Sequence, residues 1–349
     1  ATADKGKLID NPVFAGKVTP KNSMIMLIAL ILGLAIPAGI LFLLEFFRYK
    51  IEGHNDVAKL TNLPIIADVA IASERAKTKA DIVVHENKNN LMEEIFRSLR
   101  TNLQFLLKQH DKVIMFTSTT SGEGKTFIAS NVAISFALLG KKVVLVGLDI
   151  RKPRLAELFE IDNYNHGITN LLIKDEVNWN NVKEQITPSG INDNLDILMA
   201  GPVPPNPGEL VTRESLEQTI EHLKEHYDYI LLDTAPVGLV TDTLALGRIS
   251  NATVYVCRAD FTQKASFGLI NSLSMEKKLP NMSIVLNGVD LSKKKYGYYY
   301  GYGKYGKYGK YGNYGMYGSK GKYGYKSYSY GSYGSYYGSY GNYSKSHYG

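Results

Sequence analysis

Between residues 113 and 286 the chain alternates short, β-branched apolar runs with longer amphipathic stretches, and this alternation restricts the fold more than any other feature. The runs fall at 113–116, 142–146, 195–199, 229–232, 253–257 and 282–286, and helical periodicity occupies 126–139, 213–225, 241–249 and 263–278. Continuous apolar strands separated by helices predict a mostly parallel sheet covered on both faces. That is an α/β doubly wound domain, with ligands expected at the carboxyl ends of its strands. A further helix is predicted over 87–109, where Leu91, Ile95, Leu99, Leu103 and Leu106 recur at spacings of three and four. We place this domain at 87–292.

Two flanking segments cannot belong to such a core. Residues 24–44 are 21 consecutive residues without a charge, long enough at about 1.5 Å per residue to cross a bilayer core of about 30 Å. A transmembrane helix is therefore predicted at 23–47, followed by a linker at 48–86. Lysines and arginines balance across its flanks, so charge does not orient it. At the other end, 20 of the 25 tyrosines lie in residues 296–349, and glycine recurs at every third position from Gly303 to Gly324. No proline follows Pro280, which argues against a collagen helix, and a Tyr/Gly composition with few aliphatics cannot build a core, so 293–349 is predicted to be a disordered tail. Ten lysines and no acid fall there, so of the net +7 the tail carries +10 and the remainder −3. The basic balance thus gives no support for nucleic-acid binding by the folded part. A lone Cys257 excludes a disulfide framework or a cysteine-rich zinc site. The chain opens on Ala1 and reads as the C-terminal portion of a longer protein.

Directly after the first strand of the alternation stands Ser118-Thr-Thr-Ser-Gly-Glu-Gly-Lys-Thr126, opening into a helix. Gly124, Lys125 and Thr126 complete a phosphate-loop pattern in which Thr119 takes the place of the first glycine. Gly122 and Gly124 let backbone amides turn toward a phosphate, and the helix N-terminus adds its positive dipole. Lys125 is positioned for β- and γ-phosphates and the Thr126 hydroxyl for Mg²⁺, so the expected ligands are ATP and Mg²⁺. Thr120, Ser121, Gly122, Glu123, Gly124, Lys125, Thr126 and Phe127 are the candidate nucleotide contacts. Asp149 and Asp233 each end a strand beside this loop, where carboxylates hold Mg²⁺ or its waters; helix caps or turn residues are the plainer alternative. Arg151, two positions beyond Asp149, is a candidate to neutralise a transferring phosphoryl group.

The loop at 118–126, Gly-Leu-Asp-Ile-Arg at 147–151 and Leu-Leu-Asp-Thr-Ala-Pro at 231–236 resemble, as a set, the Walker A, A′ and B motifs of bacterial tyrosine kinases with a P-loop NTPase fold. The resemblance covers residues from about 12 to the end. It implies a protein-tyrosine autokinase of the bacterial inner membrane, with kinase domain and tail cytoplasmic and residues 1–22 ending a periplasmic chain-length-determinant domain. It implies phosphorylation of tail tyrosines in trans, and control of capsular or extracellular polysaccharide polymerisation and export. The implied partners are other copies in a ring, the polysaccharide machinery, a cognate tyrosine phosphatase and the membrane, with no nucleic acid. Glu94, Arg97 and Arg100 resemble the family's ExxRxxR motif, which implies the ring contact, although such spacing on a helix also suits a solvated ionic face. Asn287, by the same analogy, is a candidate adenine contact or a turn-forming Asn-Gly. The candidate acceptors are Tyr305, Tyr308, Tyr311, Tyr314, Tyr317, Tyr323, Tyr333, Tyr336, Tyr340 and Tyr343, with Asp149 the candidate base.

The sequence departs from the family at one point. Walker A′ has two aspartates, and Gly147 stands at the first, leaving Asp149 to supply the carboxylate function of both. Two other readings share the motifs: a partitioning-type ATPase switch, and a non-catalytic nucleotide-binding membrane scaffold. The switch proteins carry a signature lysine where this chain has Thr120.

Overall fold

The computed structural model describes residues 21–46, 49–71, 82–85, 90–162, 165–240 and 242–290. The segment before residue 21, expected to be periplasmic, and all of the tail, with its ten candidate acceptors, lie outside the described residues.

Eight strands form one sheet: β1 (Ile65–Ala70), β2 (Val113–Ser118), β3 (Val143–Leu148), β4 (Ile186–Pro188), β5 (Leu195–Leu198), β6 (Tyr229–Thr234), β7 (Ala252–Arg258) and β8 (Met282–Val289). Their order is β1-β8-β7-β2-β6-β3-β5-β4, and every pair is parallel except β4–β5. All six predicted strands are present, and the mostly parallel α/β fold is as expected. Successive residues along the central strands enter opposite cores, as the two-residue period requires. Met115, Val146 and Leu232 face one core, while Phe116, Leu145 and Leu231 face the other.

Helix α1 (Asn22–Phe46) is long and apolar enough to cross a membrane, its stretch Asn22–Leu43 having mean hydropathy 2.7 and lying unburied by the protein. After it come α2 (His54–Leu60), α3 (Leu91–Leu106) and α4 (Lys125–Leu138). Helix α3 starts at Asn90, whose side chain accepts from the Glu93 amide, and it buries Ile95, Phe96, Leu99 and Leu103. Helix α4 is the most enclosed, with every residue from Ile128 to Ala137 buried.

The expected linker is where sequence and structure part. Within 48–86, residues 65–70 are the edge strand β1, paired along β8, and 54–60 are helical. Asp68 hides this strand in the sequence, because it interrupts an otherwise apolar run. It is buried, with the His54 Nδ1 3.1 Å from its carboxylate, and burial raises its pKa against the opposing pull of His54. The start of this segment is also tied down. Ile51 donates its amide to the Thr262 carbonyl at 3.0 Å, and Lys264 donates to Tyr49 at 2.8 Å, so 49–51 lie along the turn after β7.

Since Ile51, Val57, Ile66 and Val69 are all buried, each contributing about 1.5–3 kcal/mol, residues 49–70 are part of the folded domain. A chain beginning at residue 90 is expected to melt at least about 10 °C below one beginning at residue 49, as thermal unfolding followed by circular dichroism will show.

Candidate functional site

The phosphate loop leaves β2 at the point where the strand order reverses, between β7 on one side and β6 on the other. Gly122 and Gly124 have φ of 92° and 97°, a region costly for other residues. At Gly124 a Cβ would also lie 2.1 Å from the Asn287 Nδ2, which donates to the Glu123 carbonyl at 3.0 Å. Asn287, the candidate adenine contact, thus also buttresses the loop. Glu123 also turns inward. Its buried carboxylate accepts from the Thr120 amide at 2.7 Å and from the Thr262 hydroxyl, and burial raises its pKa in spite of these donors. Thr120, Ser121 and Gly122 remain exposed along the loop, while the Phe127 ring packs edge-on against Phe96, 5.8 Å between centroids.

The chemically charged centre lies below this loop. Lys125 is buried at the first position of α4, and the Thr126 hydroxyl donates to the Asp233 Oδ2 at 2.7 Å. Asp233 ends β6 with only 2% of its surface exposed, and its Oδ1 has no hydrogen-bond partner. Burial is the largest influence on its pKa and the charge of Asp149 adds to it; Lys125 and Thr126 oppose, and the group is pushed up to about 6. A buried carboxylate oxygen without a donor, beside a hydroxyl and a lysine, fits a Mg²⁺ site that phosphate oxygens and water complete. Among the described residues no group of three or more His, Cys, Asp or Glu side chains forms a metal site unaided.

Asp149 ends the adjacent strand segment. Its amide donates to the Asp233 carbonyl at 3.0 Å, and its Oδ1 accepts from the Lys152 amide at 3.1 Å, so it also serves as the turn residue considered above. Arg151 points elsewhere, in an ion pair with Asp242. On α3, Glu94 and Arg97 form an exposed ion pair at 2.9 Å. Arg100 is turned inward, donating to the Ser135 carbonyl at 2.6 Å and so capping the carboxyl end of α4.

Several supporting residues carry no sequence signature. The Tyr255 hydroxyl, buried in β7, is 3.0 Å from the Thr119 Oγ1, and burial raises its pKa. The Arg258 Nη1 donates to the Gly122 carbonyl at 3.0 Å, with the guanidinium 5.5 Å from the Phe261 ring. Gly238 passes so close to the loop that a Cβ would lie 2.4 Å from the Thr119 carbonyl oxygen. Tyr255 and Arg258 belong to a run that reads only as a core strand, and no local pattern announces which way they point.

A doubly wound parallel sheet with a glycine-bent loop, a buried lysine and two strand-end aspartates defines a P-loop nucleotide-binding protein. Residues 111–282 match the AAA domain family. The chain is 31% identical over 231 residues to the putative tyrosine-protein kinase CapB of Staphylococcus aureus, covering 66% of this chain and 99% of that protein. It is 31% identical over 226 residues to the tyrosine-protein kinase YwqD of Bacillus subtilis, covering 64% and 93%. Longer relatives include the tyrosine-protein kinase etk of Escherichia coli, 27% identical over 303 residues, of which the match spans 40%. Among solved structures, the chimerical protein CapA2B2 aligns with TM-score 0.60 and 29% identity over 68% of this chain and 100% of that one. The kinase domain of E. coli ETK aligns with TM-score 0.60 and 27% identity over 70% and 96%. The chain belongs to the family of bacterial tyrosine-protein kinases, and it is a protein-tyrosine kinase.

The position of Asp233 has a measurable effect on stability. Its pKa is near 3.8 when unfolded and about 6 when folded, so the protonated form favours the fold, and this contribution is lost as pH rises through that window. Without metal at pH 7, Asp233→Asn is expected to be more stable than the parent chain by on the order of 2 kcal/mol. The difference should shrink toward pH 4.5, as denaturant titrations across that range will test.

Proposed function

We propose that the chain is a membrane-anchored autokinase that transfers the γ-phosphoryl group of ATP to tyrosines of its own tail, in trans within a ring of copies. The observation that carries this reading is the trio Lys125, Thr126 and Asp233, with Asp149 beside it. Thr126, the free Asp233 Oδ1 and Asp149 would hold Mg²⁺ directly or through water. The ion supplies charge neutralisation across the phosphates. Lys125 and the amides at the start of α4 hold the non-bridging oxygens and draw negative charge from the transferring group. Arg151 is engaged with Asp242, so among the protein's own cations Lys125 is the one beside the carboxylates. The acceptor oxygen attacks phosphorus, the bond to the ADP oxygen breaks, and the phenolic proton passes to Asp149.

The assembly follows from further features. α1 is the anchor in the cytoplasmic membrane, and the kinase domain and tail lie on the cytoplasmic side. The exposed Glu94–Arg97 pair contacts a neighbouring copy, while Arg100 sets the helix behind the phosphate loop. A flexible chain of 54 residues has a root-mean-square reach of about 40 Å, enough to enter an adjacent site. Each phosphotyrosine adds about −1.5 to −2, so about five to seven of them cancel the tail's ten lysines. The resulting sign change would loosen the ring and the tail's hold on anionic lipid. Names such as that of the relative "in cps region" of Klebsiella pneumoniae support a role in making or exporting surface polysaccharide, with a phosphatase resetting the tail.

With radiolabelled ATP, the intact chain is expected to label its tyrosines, and Lys125→Met or Asp149→Asn to lose that label by at least about 100-fold. Release of inorganic phosphate alone would mean an ATPase switch, and neither product a scaffold. Intact-mass resolution of the phospho-forms against ring size tests the charge reversal. Assembly indifferent to phosphate number would refute it.

A further inference from the structure

The connection between α1 and the folded domain is short enough to place one face of that domain. The uncharged run within α1 ends at Leu44, Phe46 closes the helix about 3 Å further on, and Tyr49 follows three peptide units later, at most about 11 Å away. A headgroup layer is about 5–8 Å deep. With α1 across a bilayer, Tyr49 therefore lies at most about 9 Å beyond the headgroups, close to the Debye length of about 8 Å at physiological ionic strength.

Backbone bonds fix Tyr49 to the domain. The Lys264 amide donates to the Tyr49 carbonyl at 2.8 Å, the Ile51 amide to the Thr262 carbonyl at 3.0 Å, and the Asp260 amide to the Ile51 carbonyl at 2.7 Å. Lys50 and Gln263 form an antiparallel bridge between these bonds. Paired segments lie about 4.8 Å apart, so residues 260–264 stand one strand spacing from a stretch that is tethered at the bilayer surface.

The side chains exposed there suit an interface. Tyr49 is 59% exposed and Phe261 38%. Each ring has a cation near it, the Lys50 Nζ 5.6 Å from the Tyr49 centroid and the Arg258 guanidinium 5.5 Å from that of Phe261. Aromatic rings with one wet edge settle at headgroup level, and cations are drawn to anionic lipid. Across 48–52 and 258–264, the cations Arg48, Lys50, Arg258 and Lys264 stand against the acids Glu52 and Asp260, while Glu45 belongs to α1 itself.

We propose that the surface formed by Tyr49, Lys50, Phe261 and Lys264 rests on the headgroups of an anionic bilayer, the two rings among them and the two lysines toward the phosphates. The inference rests on α1 being a membrane anchor, and it goes beyond that reading by giving the domain a lipid-facing side. Each lysine favours contact with an anionic leaflet about fivefold.

The test uses the full chain in nanodiscs of phosphatidylglycerol and phosphatidylcholine, some of the lipid carrying a headgroup spin label as quencher. Trp179, the sole tryptophan, lies in the helix leading into β4, five strands from β7, and is the reference. Phe261→Trp and Gln263→Trp, each combined with Trp179→Phe, are expected to be quenched more strongly than Trp179 in the parent chain. Binding of a fluorescent ATP analogue reports that each variant is folded. Lys264→Glu changes the charge by two, so it is expected to lower the ratio of quenched to unquenched probe about 25-fold on anionic discs, with little change on phosphatidylcholine alone. The tail's lysines are common to every sample. An inserted chain whose probes are quenched no more than Trp179, or equally with and without anionic lipid, overturns the proposal. Probes shielded from aqueous acrylamide yet untouched by labelled lipid give this face to a second copy, and overturn it too. A chain that does not enter nanodiscs overturns the anchor reading itself, and the proposal with it.

Discussion

Asp233 sits at the carboxyl end of β6 with one oxygen bonded to Thr126 and the other without a donor, in surroundings that push its pKa to about 6. Leaving a carboxylate so placed is costly, because a buried charge with an unpaired oxygen loses the solvation it has in water. Much of the surrounding structure serves to hold that arrangement. β2, β6 and β3 lie side by side, so the loop, Asp233 and Asp149 emerge next to one another. Lys125 and Thr126 begin a helix whose opposite end is capped by Arg100. Lys125, Thr126, Asp149 and the Asp233 Oδ1 thus converge on one small region at the carboxyl edge of the sheet.

The loop itself is held from outside. Glu123 is anchored by Thr262, Gly122 by Arg258, Thr119 by Tyr255, and the backbone at 123 by Asn287. Three of these four supports come from β7 and the turn after it, and the fourth from β8. The strands next to the loop on that side thus hold its shape rather than contribute to the chemistry.

The fold was legible because parallel strands buried on both faces must be apolar throughout, a pattern that six runs satisfy. β1 escaped because Asp68 breaks the pattern, and only the fold brings His54 to it. Lys125, Thr126, Asp149 and Asp233 were legible because a phosphate loop and strand ends fix where such side chains emerge. The directions of Glu123, Arg151, Asn287 and Arg100 were not legible, for a common reason. Sequence spacing places a residue on a loop or helix, but its direction depends on partners more than thirty residues away, such as Thr262, Asp242 or Ser135. Gly147 read as a lost carboxylate; the fold sets it beside Asp233 and close against Leu155 and Ala200, neighbours that no local spacing announces.

The tie between residues 49–51 and the turn at 258–264 has a thermodynamic corollary. That turn bonds Ile51 and Tyr49 on one side, and through Thr262 and Arg258 it bonds the phosphate loop on the other. The segment leaving α1 and the loop that receives phosphate share one support, so their order is coupled and the coupling is reciprocal. Whatever free energy nucleotide binding lends to the seating of 49–51, displacement of that segment takes back from nucleotide affinity. The stretch that first read as a passive tether is thereby joined to the phosphate loop through a shared turn, with no bond of its own to that loop among the described residues.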